Sequence, residues 1–177
     1  MARLKLSRRF FLLAPPLAMA ACGFTPVYGP QGTGNELYGQ IEVQAPDTPQ
    51  TYLLVRSLEE RLGRSSGSPR YKMDVALTTI AEGQAITASD EITRYSLVGV
   101  ATYKLTRLSD EKIVNQGEAQ NFTGYSAEGS TVDALASERD AIERLMMILA
   151  DQITAQVLAT SDLSSGQTAS QVVDPEA

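Results

Sequence analysis

A chain of 177 residues that is 43% hydrophobic, with no Trp and only four Phe, is long enough for one domain with an aliphatic and Tyr-based core. It holds no His and one Cys, which excludes His-based catalysis, His-containing zinc sites, CxxC redox chemistry and any intrachain disulfide. Its net charge of −6 argues against a nucleic-acid partner, since an anionic ligand would need a local basic patch.

Residues 1–21 open with Arg3, Lys5, Arg8 and Arg9, continue through an apolar run from Phe10 to Met19, and end on Ala20 and Ala21 before Cys22. The run is too short for a membrane span, which needs about 20 apolar residues, and Pro15 and Pro16 interrupt it, so it reads as a signal peptide. Ser7-Arg8-Arg9-Phe10-Phe11-Leu12 is similar to the twin-arginine export signal. Adjacent arginines are also common in general-pathway leaders, and both routes fit. Met19-Ala20-Ala21-Cys22 resembles the bacterial lipobox, in which the cysteine is acylated and becomes the first residue after cleavage. Each buried methylene contributes about 0.8 kcal/mol, so a doubly or triply acylated Cys22 would hold the chain stably on a membrane. Gly23 after the cysteine resembles lipoproteins sorted to the outer membrane.

Residues 22–36 are rich in Gly and Pro and predict a flexible tether, with no strand and no GK[ST] to make a phosphate loop of the glycines. The folded domain is expected over 37–160. Residues 161–177, rich in Ser, Gln, Asp and Pro without apolar periodicity, predict a disordered tail.

Within the domain, Gly39 to Val43 reads as a short alternating strand. Thr48 and Pro49 supply an N-cap and first-turn proline for a helix whose Leu54, Val55, Leu58 and Leu62 share a face and which stops at Gly63. Three strands follow. Tyr71, Met73, Val75 and Leu77 alternate with Lys72, Asp74, Ala76 and Thr78, and residues 94–105 alternate with the same period of two. The third runs from Ile113 to about Tyr125 after a short loop at 108–112; a strand of about fifteen residues, near 50 Å at about 3.4 Å per residue, is expected to bend or be interrupted. A last helix spans about Asp133 to Leu158, with Leu135, Ile142, Leu145, Met146, Leu149, Ile153 and Val157 in one apolar stripe. The order βαβββα predicts an α+β fold: a two-layer α/β sandwich whose mostly antiparallel four-stranded sheet carries two helices on one face.

The candidate sites are modest. Asp133, Glu138, Asp140 and Glu143 fall in the first turns of the last helix, where acids complement the helix dipole. Asp90 and Glu91 are too few for a calcium site, and no cofactor or metal site is read. The sheet face without helices is more informative. It would carry Val98, Val100, Thr102, Thr78, Gln116 and Gln120 as candidate partner contacts, together with Ser96, Lys104, Thr106, Lys72, Ala76 and Glu118. Such a mixed, mostly uncharged surface suits either solvent or another protein with a polar wall, as the lumen of an outer-membrane β-barrel is.

The whole pattern resembles the LPS-assembly lipoproteins of the LptE family, in their short alphaproteobacterial form. The likeness lies in Cys22-Gly23-Phe24 followed by Pro26 and Tyr28, in the strand 94–105, and in Arg139-Asp140-Ala141-Ile142 opening a last helix that runs through Leu149-Ala150-Asp151-Gln152-Ile153. It implies a non-enzymatic lipoprotein on the periplasmic side of the outer membrane, anchored through Cys22, that plugs the LptD barrel, helps it assemble and serves lipopolysaccharide transport. The family's lipopolysaccharide contacts are basic side chains near two loops, which here read Ala88-Ser89-Asp90-Glu91 and Glu128 to Asp133 and are acidic. Only Arg94, Lys104 and Lys72 are left as possible lipopolysaccharide contacts. Two alternatives share the features above. One is an accessory lipoprotein of a lipid-transporting ABC system, which fold alone does not separate. The other is a periplasmic hydrolase, for which the sequence has no His and no recognisable nucleophile motif.

Overall fold

The computed structural model describes residues 26–29, 32–86 and 92–163. Cys22, the leader, Asp90, Glu91 and most of the expected tail lie outside the described residues.

The described residues form seven elements in order: α1 (Thr33–Leu37), β1 (Ile41–Val43), α2 (Pro49–Leu62), β2 (Tyr71–Ile86), β3 (Ile92–Arg107), β4 (Ile113–Ser126) and α3 (Thr131–Thr160). The expected βαβββα order is present, preceded among the described residues by one short helix. Thr33 to Glu36 of that helix fall in the segment read as a tether; Gly34 is buried with its N–H bonded to Val27 O at 2.9 Å, and Leu37, the first residue of the expected domain, is fully buried. The sheet order is β1-β2-β3-β4, with β1 parallel to β2 and the remaining pairs antiparallel.

α2 starts where the sequence signals it, and α3 starts at Thr131, two residues before the expected Asp133. Thr48 caps α2 reciprocally with Thr51, and Ser130 does the same for α3 with Asp133. Those bonds from Ser130 hold the Asp133 carboxyl below its usual range. The two helices run parallel on one sheet face, tied by the ion pairs Arg56–Glu143 at 3.4 Å and Arg61–Asp151. The hydrogen bond with Asp151 raises Arg61, and the same bond lowers Asp151. Among the described residues no helix is long and apolar enough to cross a membrane.

The core forms where odd-numbered strand residues meet the helices. Tyr71 and Met73 of β2, and Leu97, Ala101, Tyr103 and Leu105 of β3, pack with Leu54, Leu58, Leu145, Met146, Leu149, Ile153 and Val157. Gly99 makes this close approach possible, because a Cβ there would stand 2.9 Å from Leu145 Cδ2 and 3.1 Å from Leu149 Cδ1. Tyr103, whose phenol burial pushes up, donates its hydroxyl hydrogen to Asn115 Oδ1 at 3.0 Å.

Two expectations change and one is met in milder form. β2 extends eight residues past Thr78, pairing with β3 as far as Ile86. The irregularity expected of β4 is a register shift near its start, opposite Leu105 and Thr106, after which the strand runs on unbroken. Leu135, expected in the core stripe, is 47% exposed. The reason is geometric: α3 begins well before α2 does, so its first turns overhang the part of the sheet that both helices cover.

Candidate partner-binding face

Because strand side chains alternate, burying the odd-numbered residues of β2, β3 and β4 under the helices turns the even-numbered ones to the opposite face. Register then sets their neighbours. Five successive rungs cross the three strands: Asp74–Lys104–Gln116, Ala76–Thr102–Glu118, Thr78–Val100–Gln120, Ile80–Val98–Phe122 and Glu82–Ser96–Gly124. No described element lies over them. From Asp74 to Glu82 the face extends about 27 Å, at about 3.4 Å per residue.

All six predicted partner contacts lie on this face in four adjacent rungs. Val98 and Val100 are half-buried by their cross-strand neighbours, and Thr78, Thr102, Gln116 and Gln120 are exposed. Sequence reasoning missed the two most apolar members. Ile80 is 57% exposed and Phe122 is 68% exposed, and with Val98 between them they form an apolar bar across the sheet. Counting in steps of two from Gln116 reaches Phe122, so the signal was present. Ile80 lay beyond the predicted end of its strand.

The predicted basic contacts do not form one patch. Lys72 and Lys104 both turn to Asp74, with Nζ at 2.9 Å and 3.7 Å from its carboxylate oxygens. Arg94 stands ten residues from Lys104 along β3, about 34 Å away at about 3.4 Å per residue. The acids of α3 have structural partners: Asp133 caps the helix, Asp140 pairs with Arg144, and Glu143 with Arg56. Tyr125 stacks on Tyr95 with centroids 5.2 Å apart, and its phenol is raised by burial, by nearby Glu138 and by Tyr95. The face can thus offer a flat, three-stranded surface with an apolar centre, one compensated acid–base cluster and polar margins.

A family model for lipopolysaccharide assembly, LptE, matches residues 38–157. No curated protein matches the chain in sequence. Among solved structures, a candidate lipoprotein from Caulobacter crescentus CB15 is 18% identical with a TM-score of 0.60, covering 71% of this chain and 93% of that one. Lipoprotein B from Nitrosomonas europaea is 13% identical with a TM-score of 0.52, over 67% of this chain and 81% of its own. At those identities the likeness is one of fold.

Proposed function

Since the chain belongs to the LptE lipopolysaccharide-assembly family, we propose that it is an outer-membrane lipoprotein that plugs the LptD β-barrel and assists its assembly. It acts by binding, without catalysis, and serves the passage of lipopolysaccharide to the cell surface. The observation that carries this reading is the uncovered sheet face. Its length of about 27 Å compares with the roughly 25 Å apolar band of outer-membrane barrels, whose interiors are polar. The apolar bar Ile80–Val98–Phe122 gives such a contact a water-excluding centre, and the polar rungs beside it suit a lumen wall. Recovery of the barrel with this chain from solubilised membranes is the test.

The reading includes anchorage at Cys22 on the periplasmic side, whatever the export route, and in this respect the lipobox resemblance supports it. Replacing Cys22 by Ser is expected to release the protein into the soluble periplasm or leave it unprocessed, because the acyl chains supply the hold. Fractionation with carbonate washing reads the outcome; membrane association unchanged by the substitution would remove the anchor from the account. A shared lipopolysaccharide-phosphate site at Lys72, Lys104 and Arg94 is not included, since Asp74 engages the two lysines and Arg94 is remote from them.

A further inference from the structure

The two edges of the sheet are treated differently. On β4, α3 and the segment after it meet three of the outward carbonyls: Asp162 N–H donates to Val114 O at 3.0 Å, Gln156 Nε2 to Glu118 O at 3.2 Å and an Arg144 amino group to Gly124 O at 3.3 Å. On the side of β2 away from β3 the one strand among the described residues is β1, which pairs with Tyr71, Lys72 and Met73 and then leaves the sheet at Pro46. Tyr71 N–H and Met73 O bond toward the β1 side. By alternation the N–H and C=O groups of Val75, Leu77, Thr79 and Ala81 point the same way, and among the described residues no backbone group meets them.

From Val75 to Ala81 the edge has no Pro, no charged residue and no bulge, the devices that usually blunt an open strand, and its register is regular until the shift after Gly83. Gln50 at the start of α2 touches it through one side chain only, accepting from Thr79 Oγ1 at 2.9 Å. Beside it lies a groove of about 560 Å³ between the edge and the start of α2, walled by Val75, Leu77, Pro46 and Leu54. Val75 and Leu77 are only half-buried there, because among the described residues no strand extends the sheet beside them. Asp47 lines the groove and is exposed, and Glu82 is exposed at the far end of the open edge, on the uncovered face.

The geometry points to strand addition at this edge: β2 accepts an extended segment of another protein, which continues the sheet beyond β1, places apolar side chains at alternate positions in the groove and brings basic residues to Asp47 and Glu82. Main-chain bonds to the four unpaired residues supply the attachment, and the groove selects the side chains. This surface is the edge of the sheet and not its uncovered face, so the inference stands or falls independently of barrel binding.

The probe is the peptide acetyl-Lys-Thr-Val-Thr-Val-Thr-Val-Lys-amide, added to the full chain in detergent, with binding followed by fluorescence anisotropy and amide exchange by NMR. Expected is saturable binding that slows exchange at Val75, Leu77, Thr79 and Ala81. Thr79→Pro removes one outward N–H while sparing the bonds to β3, and is expected to weaken binding about tenfold. The same peptide with alternate backbone nitrogens methylated, tested on the unaltered protein, is expected not to bind, which keeps the test decisive if the Pro variant fails to fold. Equal binding of the methylated peptide, absence of binding by the parent peptide, or binding that leaves the four amides unprotected would overturn the inference. So would sedimentation as a dimer with those amides already protected, which would make a second copy the occupant.

Discussion

Changing Val98 to Arg together with Thr102 to Glu is expected to spare the fold and sharply weaken capture of the barrel. Neither side chain faces the helices: Val98 lies between Ile80 and Phe122, and Thr102 between Ala76 and Glu118. A carboxylate at position 102 would face Glu118 across the ladder, a repulsion of some tenths of a kcal/mol that a small domain tolerates. In the complex the same two charges would sit in a contact whose centre is apolar. Desolvating an unmatched interfacial charge costs about 2 kcal/mol or more, roughly thirtyfold in affinity. Co-purification of tagged variants, after melting temperatures have been shown to agree, measures the effect. Glu143→Gln, at the solvent-exposed seam of α2 and α3 where Glu143 pairs with Arg56, lies away from the sheet face; it is the control and should recover the barrel as the parent does. Full recovery by the double variant would mean that this face is merely solvated.

Leu149→Asp is expected to unfold the domain. Leu149 is 0% exposed and sits against β3 where Gly99 lets the helix approach. A carboxylate there has no cation to meet, and burying it unpaired costs several kcal/mol against a total stability of about 5–15 kcal/mol. Circular dichroism should show loss of the cooperative melt. Met147→Asp, two residues earlier at a position 39% exposed, should change little. An unaltered melt for the Leu149 variant would move the core to another face of α3.

How far the sequence could be read follows from how strongly each segment is tied to the core. Burial on β3 alternates without fault from Leu97 to Leu105 because the helices cover one of its faces along that whole stretch, and polarity follows it from Ala101 to Leu105, while Val98 and Val100 are apolar on the outward face. The cap of α2 is equally plain, since it needs only Thr48 and the residue three positions on, whereas Ser130 escaped notice and the start of α3 was placed near Asp133. The second half of β2 was hidden for the opposite reason. Residues 79–84 are half-buried or exposed, so no buried face imposes a period of two there, and pairing with β3 alone makes them a strand. Leu135 was misplaced because helical spacing says which residues share a face but not where the covering partner ends. α1, with five residues in a Gly-rich segment, is set by tertiary packing of Leu37 and leaves no periodic trace. At the candidate site, the polar residues of the face were found by alternation. Its apolar bar was not, because a large exposed hydrophobic side chain such as Phe122 is identified as surface only when register and the uncovered face are both known.

Purification of the tagged, anchored chain from detergent-solubilised membranes, followed by identification of what accompanies it by mass spectrometry, identifies the partner. One large outer-membrane β-barrel is expected in near-equal amount, retained through washes at high salt because the apolar part of the contact is insensitive to screening. Recovery of the permease or ATPase of an ABC transporter in its place, with no barrel present, would contradict that expectation and assign the chain to lipid import machinery.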